Sequence, residues 1–164
     1  MRRVIVNSTP LIVLCNIDML YILKEVYGEI IVPQAVFDEI MAKENSACNQ
    51  ILSAKDWIKV ECISNEADKR MYQARLHAGE VETMILAQEE PKADLVIIDD
   101  NSAKKTAMYL GLKVTGTLGV LLKAKEQGVI STVKPIIEDM ISSGFYIKDD
   151  IKKLVLIKAG EDIS

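Results

Sequence analysis

The sequence predicts an α/β fold built on a parallel sheet, and three observations carry that prediction. Short apolar runs alternate with longer stretches of helical spacing. The run Leu95–Ile98 is apolar at every position, so it belongs inside a parallel sheet with helices covering both faces. Val4–Val6 carries the same signature in a shorter run. With 164 residues and neither repeat nor linker, the chain reads as one domain over residues 1–164, long enough for a substantial core.

Val4–Val6 is the first strand. Leu11, Leu14, Cys15, Met19, Leu20 and Leu23 then follow helical spacing, with Pro10 acceptable in a first helical turn. Glu29–Val32 is a second short strand, and Pro33 opens a helix containing Val36, Phe37, Ile40 and Met41. The stretch AKENSACNQ reads equally as a polar break or a weak helix. WIKVECI, residues 57–63, alternates as a strand does, and residues 66–77 have a helical pattern with Met71 and Leu76 as their apolar positions. A helix enters at Gly79 and leaves at Pro91, and DLVIIDD, residues 94–100, is a strand ending on two aspartates. Residues 101–110 return to helix and stop at Gly111. LKVTG is the next strand, TLGVLLKAKEQG a helix closed by Gly128, and two helical patterns follow around Val133–Ser142 and Asp149–Lys158.

Composition narrows the function classes. Apolar residues make up 49% and charged residues 27% of the chain, with a net charge of −4, as in an ordinary soluble protein. No apolar run approaches the ~20 residues that span a bilayer, and the run after Arg2 and Arg3 is too short for a signal peptide. The expected location is therefore the cytoplasm, with no membrane partner. Cys15, Cys48 and Cys62 form neither a C-x-x-C pair nor a zinc pattern with His77, the single histidine, and read as reduced thiols. Trp57 reads as packing, and His77 as a surface or interface residue. The acidic balance does not mark a nucleic-acid binder, although a site that holds cations concentrates carboxylates that offset basic residues elsewhere.

In open parallel sheets, ligands bind at the carboxyl ends of the strands. The first strand ends on Asn7, Ser8 and Thr9, and DLVII ends on Asp99 and Asp100. The helix after Pro33 brings Asp38 and Glu39, and the one after Gly79 brings Glu80 and Glu82. Glu80 and Glu82 flank the Val81–Met84–Ile85 stripe on opposite sides, so periodicity does not choose between them. Taken singly, each of these residues has a structural explanation. Acids favour the first turn of a helix, Asp99 or Asp100 could cap the next helix, and Ser8 and Thr9 could cap the first. Their convergence on one sheet edge is what suggests chemistry. Clustered oxygen ligands without Cys or His suit hard cations, Mg²⁺ or Mn²⁺, which activate water in phosphodiester hydrolysis.

These motifs resemble those of the PIN-domain nucleases, which include the toxin ribonucleases of toxin–antitoxin pairs. VIVNSTPLI resembles the opening strand and turn, VPQAVFDEI the second-helix motif, and HAGEVETMILA a GE-containing helix. DLVIIDDNSAKKTAMYLGLKVTGTLGVLLKAKEQG resembles the stretch from the last acidic position to the glycine turn, and GFYIKDDIKKLVLIKAGE a C-terminal segment of one PIN-like subgroup. The resemblance implies a three-layer α/β/α sandwich and metal-dependent endonucleolytic cleavage of single-stranded RNA, leaving 5′-phosphate and 3′-hydroxyl ends. It also implies a homodimer and a small antitoxin protein as partner.

By that resemblance Asn7 falls at the first acidic position and Glu39 at the second. Glu80 falls at the third with Glu82 as helper, and Asp100 at the fourth with Asp99 as rival. Thr9 and Thr117 match supporting hydroxyls, with Ser8 beside them. Lys104 and Lys105 are the candidate phosphate contacts, followed by Arg70 and Arg75. The departure from the pattern is Asn7, an amide where the family commonly has an acid. One unit charge at ~4 Å and an effective dielectric of about 20 is worth ~4 kcal/mol before desolvation, so metal binding weakens without being forbidden. Two alternatives to an active ribonuclease follow: a binding module with weakened chemistry, and a protein whose main role is its antitoxin complex.

Overall fold

Alternate residues of each strand face opposite helical layers, and this alternation organises the fold. Val4, Val6, Ile30, Val32 and Ile97 join one apolar cluster, while Ile5, Ile31, Val96 and Ile98 join the other. The computed structural model describes residues 2–43, 46–64 and 77–162. Five parallel strands form the sheet: β1 (Val4–Val6), β2 (Ile30–Pro33), β3 (Ile58–Glu61), β4 (Leu95–Ile97) and β5 (Val114–Thr115). Their order is β3-β2-β1-β4-β5, with Ile5 level with Ile31 on one side and Val96 on the other. Chain progression reverses direction between β1 and β4, and the crevice at such a switch point is where open α/β sheets bind ligands.

The larger helical layer holds α1 (Ser8–Asn16), α2 (Tyr21–Tyr27), α3 (Gln34–Met41), α4 (Ser46–Leu52), α7 (Thr117–Glu126), α8 (Lys134–Ser142) and α9 (Asp149–Lys158). The other holds α5 (Ala78–Gln88) and α6 (Asn101–Tyr109). The fold is thus the expected three-layer sandwich. In α5 every residue from Gly79 to Ala87 is buried, because one side meets the sheet and α3 packs against it. Val81, Met84 and Ile85 are its apolar stripe, as the spacing predicts.

Two details differ from the sequence expectation or refine it. The helical spacing from Leu11 to Leu23 is divided between α1 and α2, with Asp18 at φ +57° in the break and the Met19 N–H bonded to the Leu14 carbonyl at 2.9 Å. Both helices bury their apolar residues in the same layer, so the periodicity carries across the interruption. The ambiguous AKENSACNQ stretch contributes α4, which packs against α1. The helix expected at 66–77 lies outside the described residues, apart from His77, which is the N-cap of α5.

The C-terminal segment is tied back by one carboxylate. Glu161 accepts bonds from Lys125 Nζ at 2.9 Å and from the N–H groups of Val133 at 2.7 Å and Lys134 at 3.0 Å. Burial pulls the Glu161 carboxyl upward, but the Lys125 ammonium and the two backbone donors outweigh it and hold its pKa below the ordinary value. The three cysteines are free, and burial, with Asp18 and Cys48 nearby, pushes the Cys15 thiol up to about 12. Cys15 is therefore an inert part of the core. Among the described residues no helix is long and apolar enough to cross a membrane.

Candidate functional site

The carboxyl edge of the sheet collects residues from four strand ends. Asn7 follows β1 directly, and its backbone N–H extends the ladder by bonding to the Ile97 carbonyl at 2.9 Å. That bond sets Asn7 at the β1–β4 switch point. Asn7 is also the N-cap residue of α1, but its side chain makes no capping bond. It is only 4% exposed, and its Oδ1 is buried without a hydrogen-bond partner. A buried carbonyl oxygen without a partner costs about 1–3 kcal/mol, so such an atom calls for a ligand, an ion or water. Ser8 and Thr9 lie in the first turn of α1, partly buried and exposed respectively.

Glu39 reaches the same place from α3. A Cβ on Gly79 would stand 3.7 Å from Asn7 Oδ1, 3.6 Å from Glu39 Oε2 and 3.0 Å from Val36 Cγ2. Glycine here lets α5 approach α3 closely and leaves the two oxygens facing a small notch. Glu39 is exposed, so its carboxylate is open to solvent, whereas its neighbour Asp38 accepts a bond from Gln34 Nε2 on the outer helix face.

Glu80 and Glu82, which periodicity leaves undecided, are both buried and both engaged. Glu80 accepts the His77 N–H at 3.0 Å, closing the entrance of its own helix. Glu82 crosses to α3 and accepts the Ala35 N–H at 2.9 Å, satisfying a donor at that helix's start. Both therefore shape the notch by fixing α5 and α3, and each carboxylate already holds one backbone amide.

The aspartates after β4 also part company. Asp99 turns toward β5 and accepts bonds from the Thr117 N–H at 2.7 Å and Thr117 Oγ1 at 2.6 Å. Thr117 is fully buried at the first turn of α7. Asp100 is exposed and caps α6 by accepting the Ala103 N–H at 2.9 Å. A second close approach sits here: a Cβ on Gly116 would stand 2.7 Å from both Asp99 Oδ1 and Lys104 Nζ. Lys104 is partly buried and Lys105 exposed, while Arg70 and Arg75 lie outside the described residues.

The structure thus brings Asn7 together with Glu39, and Asp99 with Thr117 and Lys104. Glu80, Glu82 and Asp100 each serve a helix terminus. Sequence spacing misses the two glycine notches, which become visible only when distant helices meet. The donors at Asn7 and Glu39 are oxygens alone, a set that fits a hard divalent cation. Among the described residues, no group of three or more His, Cys, Asp or Glu side chains is placed to hold a metal ion. With an amide at position 7, the notch supplies one acid, Glu39.

No curated protein matches the chain at a significant level. A family model described as a PIN domain matches residues 3–161. That span takes in all five strands and both glycine notches, and the chain belongs to the PIN-domain family.

Proposed function

We propose that the chain is a metal-dependent endoribonuclease acting on single-stranded RNA. The observation that carries this reading is the buried, unpartnered Asn7 Oδ1 facing the Glu39 carboxylate over Gly79, at the switch point of a PIN-domain sheet. PIN domains are generally nucleases that use divalent metals. Asn7 and Glu39 would hold Mg²⁺ or Mn²⁺, with Glu80, Glu82, Asp99 and Asp100 along the same edge adding negative potential. Such a cation, when bound, supplies a Lewis acid and an activated water for phosphodiester hydrolysis.

The chain's own groups divide the remaining work. Glu39 is open to solvent and is placed to accept a hydrogen bond from an attacking water. Asp99 is held by two bonds from Thr117, so it is a fixed acceptor rather than a mobile base. Lys104 beside it offers a cation to a phosphate oxygen. The test is cleavage of single-stranded RNA with Mn²⁺ by native protein, Glu39→Gln and Asp100→Asn. Equal activity in all three sinks the site.

A second reading is favoured by the amide at Asn7 and by the lack, among the described residues, of three acids placed together for a metal: a PIN-fold module that binds RNA or protein with weakened chemistry. Asn7→Asp separates the two. Tighter cation binding is expected in both readings because the notch seats the ion; a large gain in cleavage supports the weakened site, and cleavage little changed supports the active enzyme as it stands.

A further inference from the structure

A groove of about 640 Å³ runs from the Asp99–Gly116 end of the rim along α7 to the segment that begins α9. Its size falls within the roughly 300–1,000 Å³ that ligand sites span. The geometry points to this groove as the track that holds a single strand of nucleic acid, with Lys104, Lys148 and Lys158 on the phosphates and Tyr146 against a base. This inference rests on the nuclease reading of the adjoining rim and extends it to how the substrate is held.

The charge pattern selects the occupant. The chain is net −4, yet three ammonium groups line this one groove. Among the described residues, none of the three has an ion-pair or hydrogen-bond partner. The two acids that line it are already engaged: Asp99 accepts both Thr117 donors, and Asp150 accepts the Ile151 N–H at 2.9 Å. With three ammonium groups against two carboxylates, the groove lining carries a small net positive charge toward an anionic guest, on a chain whose overall balance is −4.

Its apolar wall completes the match. Tyr146 is 81% exposed and Leu154 46%, and Phe145 is half-buried, so the groove wall offers an accessible aromatic ring. Ammonium groups and an exposed aromatic ring lining one groove are what a single strand requires, since every base has a stackable face and every linkage a charge. Lys104 links the groove to the rim. Gly116, lacking a Cβ, leaves the space in which Lys104 Nζ and Asp99 Oδ1 lie. A strand lying along the groove would pass that ammonium as it reaches the switch point.

The test is fluorescence anisotropy of a short labelled oligouridylate in EDTA, so that binding is read without cleavage. The variants are Tyr146→Ala and the double substitution Lys148→Ala with Lys158→Ala, all at exposed positions, with thermal unfolding confirming the fold. Tyr146→Ala should weaken binding about tenfold or more, the loss expected for one stacked base. The double variant should flatten the slope of log K against log salt by about 1.4, or ~0.7 for each lost phosphate contact. Oligodeoxythymidylate run in parallel separates the two strand chemistries: binding of either supports the groove, and preference for RNA assigns the substrate. Unchanged affinity and slope in folded variants overturn the inference. So does a polyglutamate peptide that displaces the RNA at equal concentration, which would mark an acidic protein partner instead. If the groove variants bind and cut normally while Glu39→Gln is inactive, the groove falls and the nuclease site stands; the reverse pattern spares the groove and removes the site.

Discussion

The two glycine notches on the carboxyl edge have the same construction and opposite outcomes. At Gly116 a carboxylate enters the space left by the absent Cβ, and Thr117 satisfies it with two short bonds. At Gly79 an amide oxygen and a carboxylate enter, and the amide oxygen stays buried without a partner. Hydrogen bonds to charged groups contribute about 1.5–3 kcal/mol, so the first notch stabilises the β4–β5–α7 junction. The second leaves a buried polar atom unsatisfied, at a cost in stability. A satisfied buried polar group is scaffold; an unsatisfied one at a ligand crevice is where the proposed cation is to be tested. Glu161 shows the scaffold case again at the far end of the chain, with three donors on one carboxylate.

Substitutions can break or sharpen that contrast. The largest effect is expected at Glu39→Gln, which should lower RNA cleavage by roughly 10²–10⁴, the range for a positioned group that takes the proton of an attacking water. Because Glu39 is exposed, the melting temperature should hardly move, and a large drop in it would recast Glu39 as structural. At the other notch the expected loss is in stability. Thr117→Val keeps the shape and removes the Oγ1 donor, so denaturant unfolding should show about 1.5–3 kcal/mol of destabilisation. A neutral result there would mean that Asp99 finds another partner.

Asn7→Asp comes next. Restoring the charge should tighten Mn²⁺ binding by about tenfold, or ~1.4 kcal/mol, after desolvation has taken up most of the Coulomb gain. Calorimetric titration of the ion reads this directly, and an unchanged affinity would show that the notch is not the ion's seat. The smallest effect concerns Glu161. Its folded pKa lies below its unfolded one, so the stabilisation is fully present above the unfolded value of about 4.3 and is lost as pH falls through the folded value. Glu161→Gln should lack that part of the acid-side decline in stability. Identical pH profiles for native and variant would show that the clasp carries no linked proton.

Much of this architecture was legible beforehand. The uniformly apolar runs at Val4–Val6 and Leu95–Ile98 identified interior strands of a parallel sheet, because only residues covered on both faces can be apolar at every position. Their ends then placed Asn7, Asp99 and Asp100 on the carboxyl edge, with Asp100 preferred over Asp99 as the fourth acid. The break at Asp18 was hidden because α1 and α2 bury the same layer, so one periodicity describes both. The choice between Glu80 and Glu82 was hidden for a different reason. Both are buried, and what separates them is which backbone N–H each one meets.

Local pattern by itself therefore determined the fold class, the order of most elements and the edge on which polar groups gather, since burial periodicity is written in consecutive residues. Only the tertiary structure decided which of those groups remain available. Glu82 is engaged by a donor 47 residues away and Asp99 by one 18 residues away, while Asn7 Oδ1 and Glu39 Oε2 both lie beside the gap at Gly79, where α5 packs on α3. Hydrogen-bond satisfaction depends on neighbours that folding brings together, so the distinction between scaffold and open site appears when the helices pack.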